Sequence, residues 1–176
     1  MRRELGQLLV LTALGLSSLP ALALESDTSA PIEIAADQLE LDDRQGTAVY
    51  TGKVDMQQGS MQLKAARVEI KRGKNGEVSL VTATGNGGER AYLEQKPAPD
   101  EALVKGWGDK IVYHAAERRV ELIGNAELHQ ARDTFDGAYV EYYLNSRRVN
   151  ARASNSGDGS GDGRVRMTLT PRQQTQ

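Results

Sequence analysis

Few residues in this chain are of the types that make or break bonds. Its 176 residues include no cysteine. That excludes disulfides, thiolate nucleophiles, cysteine-ligated zinc and a lipid-modified N-terminal cysteine. The two histidines, His114 and His129, each follow an apolar residue in an alternating run, which puts both imidazoles on the polar face of a strand rather than in a buried ligand set. Gly106-Trp107-Gly108 begins like a dinucleotide fingerprint but meets Ile111 where glycine is required. Asp158-Gly159-Ser160-Gly161-Asp162-Gly163 starts like a calcium loop, yet Leu169 stands where the bidentate glutamate belongs, so the tract reads as a flexible linker. Glu33, Glu40, Asp55, Glu69, Glu121, Glu127 and Glu141 alternate with apolar residues, and solubility accounts for them better than acid–base catalysis does. No catalytic residue, metal site or cofactor is predicted, and the chain is not expected to be an enzyme.

Charge excludes another class. A net charge of −2 and a pI of about 5.8 give no basic footprint for nucleic acid.

The elements are short and alternating. Ile32-Glu33-Ile34, Leu39-Glu40-Leu41, Val54-Asp55-Met56, Met61-Gln62-Leu63 and Val68-Glu69-Ile70 have the period of two of half-buried strands. The pattern resumes with Val78-Ser79-Leu80 and Tyr92-Leu93-Glu94 and continues from Ile111-Val112-Tyr113 through Val140-Glu141-Tyr142 to Val165-Arg166-Met167-Thr168-Leu169. Glycines such as Gly46, Gly52, Gly59, Gly124 and Gly137 punctuate it, and no segment keeps a helical period. The expected inward set runs from Ile32, Ile34, Leu39, Leu41, Ala48 and Tyr50 to Phe135, Val140 and Tyr142. It is aliphatic, with one Phe and one Trp in the chain, and Trp107 is expected in a core or turn. A single ungapped offset of 72 residues lays Asp37 on Asp109, Gly52 on Gly124, Gln58 on Gln130, Ala66 on Ala138 and Glu69 on Glu141, which predicts two stacked repeats.

The N-terminus reads as an address. Arg2-Arg3, an apolar run from Leu8 to Leu19 and Pro20-Ala21-Leu22-Ala23 form a Sec signal peptide over 1–23, cleaved after Ala23, and the run is too short to span a bilayer comfortably. Beyond it we expect one all-β domain over 24–170, with repeat copies at about 32–95 and 104–153. A Gly/Ser/Asp-rich loop at 154–163, a final strand at 164–170 and a tail at 171–176 complete the division.

Asp37 with Leu39 and Leu41, Gly46 ahead of Ala48-Val49-Tyr50-Thr51-Gly52-Lys53-Val54, then Gln58-Gly59-Ser60-Met61-Gln62-Leu63 and Ala66-Arg67-Val68-Glu69-Ile70 resemble the OstA-like (LptA-type) domain of lipopolysaccharide transport. Gly124-Asn125-Ala126-Glu127-Leu128 and Asp136-Gly137-Ala138-Tyr139-Val140-Glu141-Tyr142 repeat the signature, so the resemblance covers about residues 31–170. It implies a twisted, open, V-shaped β-jelly roll in the periplasm, whose apolar groove shields lipid A acyl chains. By the same resemblance, copies associate head to tail and bridge an inner-membrane complex, through LptC and its ATPase, to the N-terminal domain of LptD at the outer membrane. The family's ligand contacts fall by local alignment on Ile32, Ile34, Ile111 and Tyr113. Alternation alone adds Leu41, Tyr50, Val54, Met56, Leu63, Val68, Leu122 and Phe135. Two other classes stay open on the residues themselves: a periplasmic carrier or chaperone for another amphiphile, and a structural β adaptor or polysaccharide-binding module.

Overall fold

The computed structural model describes residues 29–98, 100–153 and 164–171. The expected signal peptide at 1–23, the loop at 154–163 and the tail beyond Pro171 lie outside them. Regular structure among the described residues is all strand: β1 (Ile32–Ala35), β2 (Gln38–Asp42), β3 (Thr47–Gln58), β4 (Met61–Arg72), β5 (Val78–Thr84), β6 (Ala91–Gln95), β7 (Val104–Gly108), β8 (Lys110–His114), β9 (Arg119–Gln130), β10 (Asp133–Tyr143), β11 (Arg148–Arg152) and β12 (Arg166–Thr168). The all-β jelly-roll expectation holds.

Four long strands carry the architecture. β3 pairs with β4, and β9 with β10, along most of their lengths, each pair broken by a register shift, at Thr51/Val54 and Gly137/Tyr139. Such irregularities let one strand bend from one sheet into another. The short strands complete two flanks that share the long ones. One flank runs β1-β3-β4-β6-β7-β9-β10-β12 and the other β2-β3-β4-β5-β8-β9-β10-β11, all antiparallel. Within them β4, β5, β8, β9, β7 and β6 close into a six-stranded ring.

The 72-residue offset is structural as well as sequential. It carries β2 onto β8 and β3 onto β9 end to end, β1 onto the start of β7 and β4 onto β10. Partnerships follow: Val68 pairs with Ala83 as Val140 pairs with Ala151, and Leu63 with Leu93 as Phe135 with Met167. The repeats join because β5 and β6, ending the first, pair with β8 and β7, opening the second.

Three expectations change. Leu39 and Leu41 keep the inward phase but are 57% and 59% exposed, because β2 has a partner on one side only. Trp107 belongs neither to the core nor to a turn: it points outward from β7, since Val104, Gly106 and Gly108 hold the inward positions. A Cβ on Gly106 would stand 3.0 Å from both methyl carbons of Leu122, so the space a side chain would fill is already occupied. The final strand is three residues long, Arg166–Thr168, rather than 164–170, and it pairs with β10 opposite Phe135.

Candidate functional site

The inward side chains form continuous rows across the sheets. Along the first flank, cross-strand partners run Ile34, Met56, Leu63, Leu93, Gly106, Leu128, Phe135 and Met167. Along the second, one row runs Leu41, Ala48, Ile70, Val81, Tyr113, Val120, Tyr142 and Val149, and its neighbour runs Leu39, Tyr50, Val68, Ala83, Ile111, Leu122, Val140 and Ala151. Each row therefore crosses the whole molecule through both repeats without a charged member. Directly opposed side chains on one face lie about 5 Å apart, close enough to make each row a packed apolar track.

Burial divides the twelve residues singled out from the sequence. Val54, Met56, Leu63, Val68, Ile111, Tyr113 and Leu122 are buried where the two flanks pack on each other. Ile32, Ile34, Tyr50 and Phe135 are half-buried and pack on the edge of that core. Leu41 is exposed at the end of its row. The interior is thus closed by its own packing at the centre and uncovered at its ends.

At the N-terminal end the uncovering makes a cavity. Ile32, Ile34, Leu41 and Tyr50, four of the twelve, line a space of about 500 Å³ together with Ile70 and Val78. Its rim is charged: Arg72 Nη2 donates to Asp43 Oδ1 at 2.8 Å. An apolar cavity with an ion pair at its mouth suits an amphiphile that buries its tail and leaves a polar group at the rim. Ile111 and Tyr113 lie deeper, in the packed centre, and Phe135 lies near the far end beside β12.

Val81, Ala83, Leu93 and Val104 also belong to this interior and were not among the twelve. In β5 the sequence offers Val78 and Leu80 as the apolar phase; Val78 does pack on the core, but the shift between Lys71 and Arg72 changes the phase after it, so that Val81 and Ala83 point inward in place of Leu80. The alternation Val81-Thr82-Ala83-Thr84 was the usable signal for these two, although nothing in the sequence marks where the phase changes.

The outer face is polar and knitted by charge. Arg119 reaches Glu117 at 2.7 Å, Glu141 at 3.3 Å and also Glu121. The hydrogen bond to Glu117 is the main influence holding its guanidinium protonated, reinforced by Glu121 and opposed by burial. Burial pushes the Glu141 carboxyl up, but hydrogen bonds from Asn150 and Tyr143, with the charges of Arg119 and Arg152, carry it below the usual carboxylate range. His114 and His129 sit on this face, as alternation predicts, with Nε2 at 3.2 Å from Glu121 and 2.6 Å from Glu127. Among the described residues no three His, Asp or Glu side chains are grouped to hold a metal ion.

Comparison with known proteins agrees with this geometry. A family described as the LptA/(LptD N-terminal domain) LPS transport protein matches residues 33–148. The lipopolysaccharide export system protein LptH of Pseudomonas aeruginosa is 43% identical over 162 residues, covering 92% of this chain and 91% of its own. LptA of Escherichia coli K12 is 29% identical over 144 residues, covering 82% of this chain and 76% of its own. The crystal structure of LptH, described as the LptA-homologous periplasmic component of the lipopolysaccharide transport device of P. aeruginosa, superposes with a TM-score of 0.74 at 39% identity, over 83% of this chain and 99% of that one. Open-ended apolar rows, a six-strand unit repeated once and a family match through both copies lead to one assignment: the chain belongs to the LptA/LptD N-terminal domain family of lipopolysaccharide transport proteins.

Proposed function

We propose that this protein is a periplasmic lipopolysaccharide carrier, exported by its N-terminal segment, whose interior shelters lipid A acyl chains between the inner and outer membranes. The carrying observation is the uninterrupted apolar row from Ile34 to Met167, reaching both ends of the sheet stack. At about 0.8 kcal/mol per CH₂, sheltering a twelve-carbon chain from water is worth roughly 9 kcal/mol. That would trap the lipid in an isolated pocket, but a track that continues into a neighbour makes each step nearly isoenergetic. The driving force then belongs to a partner ATPase.

The repeat supplies a way to continue the track. β11 and β12 in the second repeat occupy the places of β5 and β6 in the first, while β1 and β2 occupy those of β7 and β8. Among the described residues each of these four strands has one partner, so one edge of each is unpaired. Transferring the internal register to a second copy sets Val149 opposite Leu41, Ala151 opposite Leu39, Met167 opposite Ile34 and Leu169 opposite Ile32. The exposed apolar residues Leu39, Leu41, Met167 and Leu169 all gain apolar partners, and the inward rows run unbroken from one molecule to the next. Such heterologous contacts do not close, so copies build rods. Related domains of LptC at one membrane and LptD at the other would dock on the same edges.

Photo-crosslinking residues at Ile34, Tyr113, Glu33 and His114 test the cargo. Capture of lipopolysaccharide is expected at Ile34, on the open cavity, and at Tyr113, where passage requires the packed centre to part around the chain, with none at Glu33 and His114. Equal capture at all four positions overturns the interior route.

A further inference from the structure

The outer face carries a second cavity, whose floor reaches the apolar interior at Val54 and Ala65. At the boundary between the repeats, Lys53, Lys64, Asn86, Arg90, Tyr92 and Trp107 line a cleft of about 970 Å³. Its aromatic wall is a cross-strand pair, since Tyr92 of β6 opposes Trp107 of β7, with ring centroids 5.1 Å apart and planes at 43°. His129 meets the indole edge-on at 4.9 Å, and the Tyr92 hydroxyl donates to the Glu94 carboxylate, so both rings are fixed in orientation.

The polar wall is also built. Arg90 is anchored across the boundary, Nη1 donating to the Asn125 carbonyl at 2.7 Å and Nη2 to Glu127 Oε2 at 2.9 Å. Lys64 approaches Asp55 only to 3.9 Å. Lys53 is exposed and forms no ion pair among the described residues. Cations thus outnumber the two lining anions, Asp55 and Glu89, and one of them is uncommitted.

The sheet architecture does not account for the aromatic pair. At the positions equivalent by repeat, on β12 and β1 at opposite ends of the molecule, Arg166 holds the place of Tyr92, and Ala35 the place of Trp107. Asp136 holds the place of Lys64 and Asn125 that of Lys53. The strand positions recur in the repeat, while the aromatic and cationic residues do not.

We infer that this cleft binds an acidic saccharide, a pyranose ring lying on Trp107 and Tyr92 with a neighbouring carboxylate or phosphate at Lys53 and Lys64. The flat face of a pyranose presents C–H bonds of partial positive charge, which suit the negative face of an aromatic ring. The acidic group gains charge-assisted hydrogen bonds from the lysines. The ligand is the sugar chain of a glycolipid or a soluble acidic glycan; both present the same chemistry. This site stands on the outer face and does not depend on what the interior carries.

Trp107 is the chain's one tryptophan, so its fluorescence reports on the cleft directly. The full mature protein is titrated to about 10 mM with acyl-free lipopolysaccharide core oligosaccharide, trigalacturonic acid and neutral maltotriose. A saturable change with an acidic oligosaccharide, about tenfold weaker with maltotriose, is expected. Response to the core oligosaccharide alone assigns the cleft to glycolipid sugars, and response to both acids assigns it to acidic glycans in general. Lys53→Asn should weaken binding about tenfold without altering the fold, because Asn125 already holds the equivalent position at the same φ, +45° against +46°. Tyr92→Ala, checked for folding by circular dichroism, should abolish the response, and capture by a crosslinker at Ile34 should persist in Lys53→Asn. No saturable response to either acid, equal response to maltotriose, or a response unchanged in both variants overturns the assignment.

Discussion

The carboxylate of Asp109 occupies the space where a side chain on Gly124 would stand, and the Asp109 N–H donates to the Gly124 carbonyl at 2.9 Å. Asp37 and Gly52 repeat the arrangement, with the corresponding bond at 3.0 Å. Both glycines have positive φ, +73° and +84°, and both sit where a long strand turns from one flank into the other. The pair clips the start of a short strand onto the bend of a long one, which is why aspartate and glycine recur together at the 72-residue offset.

Gly124→Ala should therefore be among the more damaging single-methyl additions. The left-handed conformation costs an alanine about 1 kcal/mol, and overlap with Asp109 adds about 1–3 kcal/mol. Gly76→Ala is the control: its φ is +81°, yet nothing lies within 4 Å of the added carbon, so only the conformational cost applies. Urea denaturation of the two variants should separate them by at least about 1 kcal/mol.

Gly106 offers a second test of the interior. Gly106→Ala drives a methyl into Leu122 and should destabilise by about 1–3 kcal/mol, and adding Leu122→Val should recover part of that loss by returning volume. Thermal unfolding of the single and double variants measures it. If the double variant is no better than the single, the contact with Leu122 is not the source of the cost.

How much was legible follows from such pairs. The strand faces, the repeat and the jelly roll could be read because alternation and the Asp–Gly clip both leave marks in sequence. Trp107 could not be placed, because its inward neighbour Gly106 carries no side chain, and a large aromatic beside glycines looks like the buried member. The exposure of Leu41 depends on which strand ends a sheet, and alternation is silent on that. The shift at Lys71/Arg72, which sets the phase of β5, has no residue signature of its own.

Acid should weaken the outer face in a defined window. Hydrogen bonding from Arg67 lowers the Glu69 carboxyl, with Lys71 adding to it against burial. At Glu127, burial raises the carboxyl, but Arg90 and His129 outweigh it and the net shift is downward, as it is at Glu141. Groups depressed in the folded state contribute stability above their unfolded pKa of about 4.3, and that contribution is lost as pH falls through the folded value. Stability by urea denaturation should hold from pH 7 to about 5 and decline below that. Glu141→Gln should be less stable at pH 7 and show a shallower decline; an unchanged slope would remove Glu141 from the account.

The proposed register between copies makes the sharpest prediction, and a chain without cysteine is suited to test it. Val149 and Leu41 fall opposite each other on the inward face when the internal pairing of Val81 with Tyr113 is transferred to a second molecule. Directly opposed β positions bring Cβ atoms to about 5 Å, within reach of a disulfide after small adjustment. The double variant Val149→Cys, Leu41→Cys should give a ladder of covalent oligomers on mild oxidation, and Met167→Cys with Ile34→Cys should do the same on the other flank. Arg148→Cys with Leu41→Cys sets the thiols on opposite faces and should stay monomeric on a denaturing gel. A one-residue slip would reverse that outcome, because every side chain then changes face. Ladders from the Arg148 pair, with none from the Val149 pair, would show that copies do not join by the pairing that joins the two repeats.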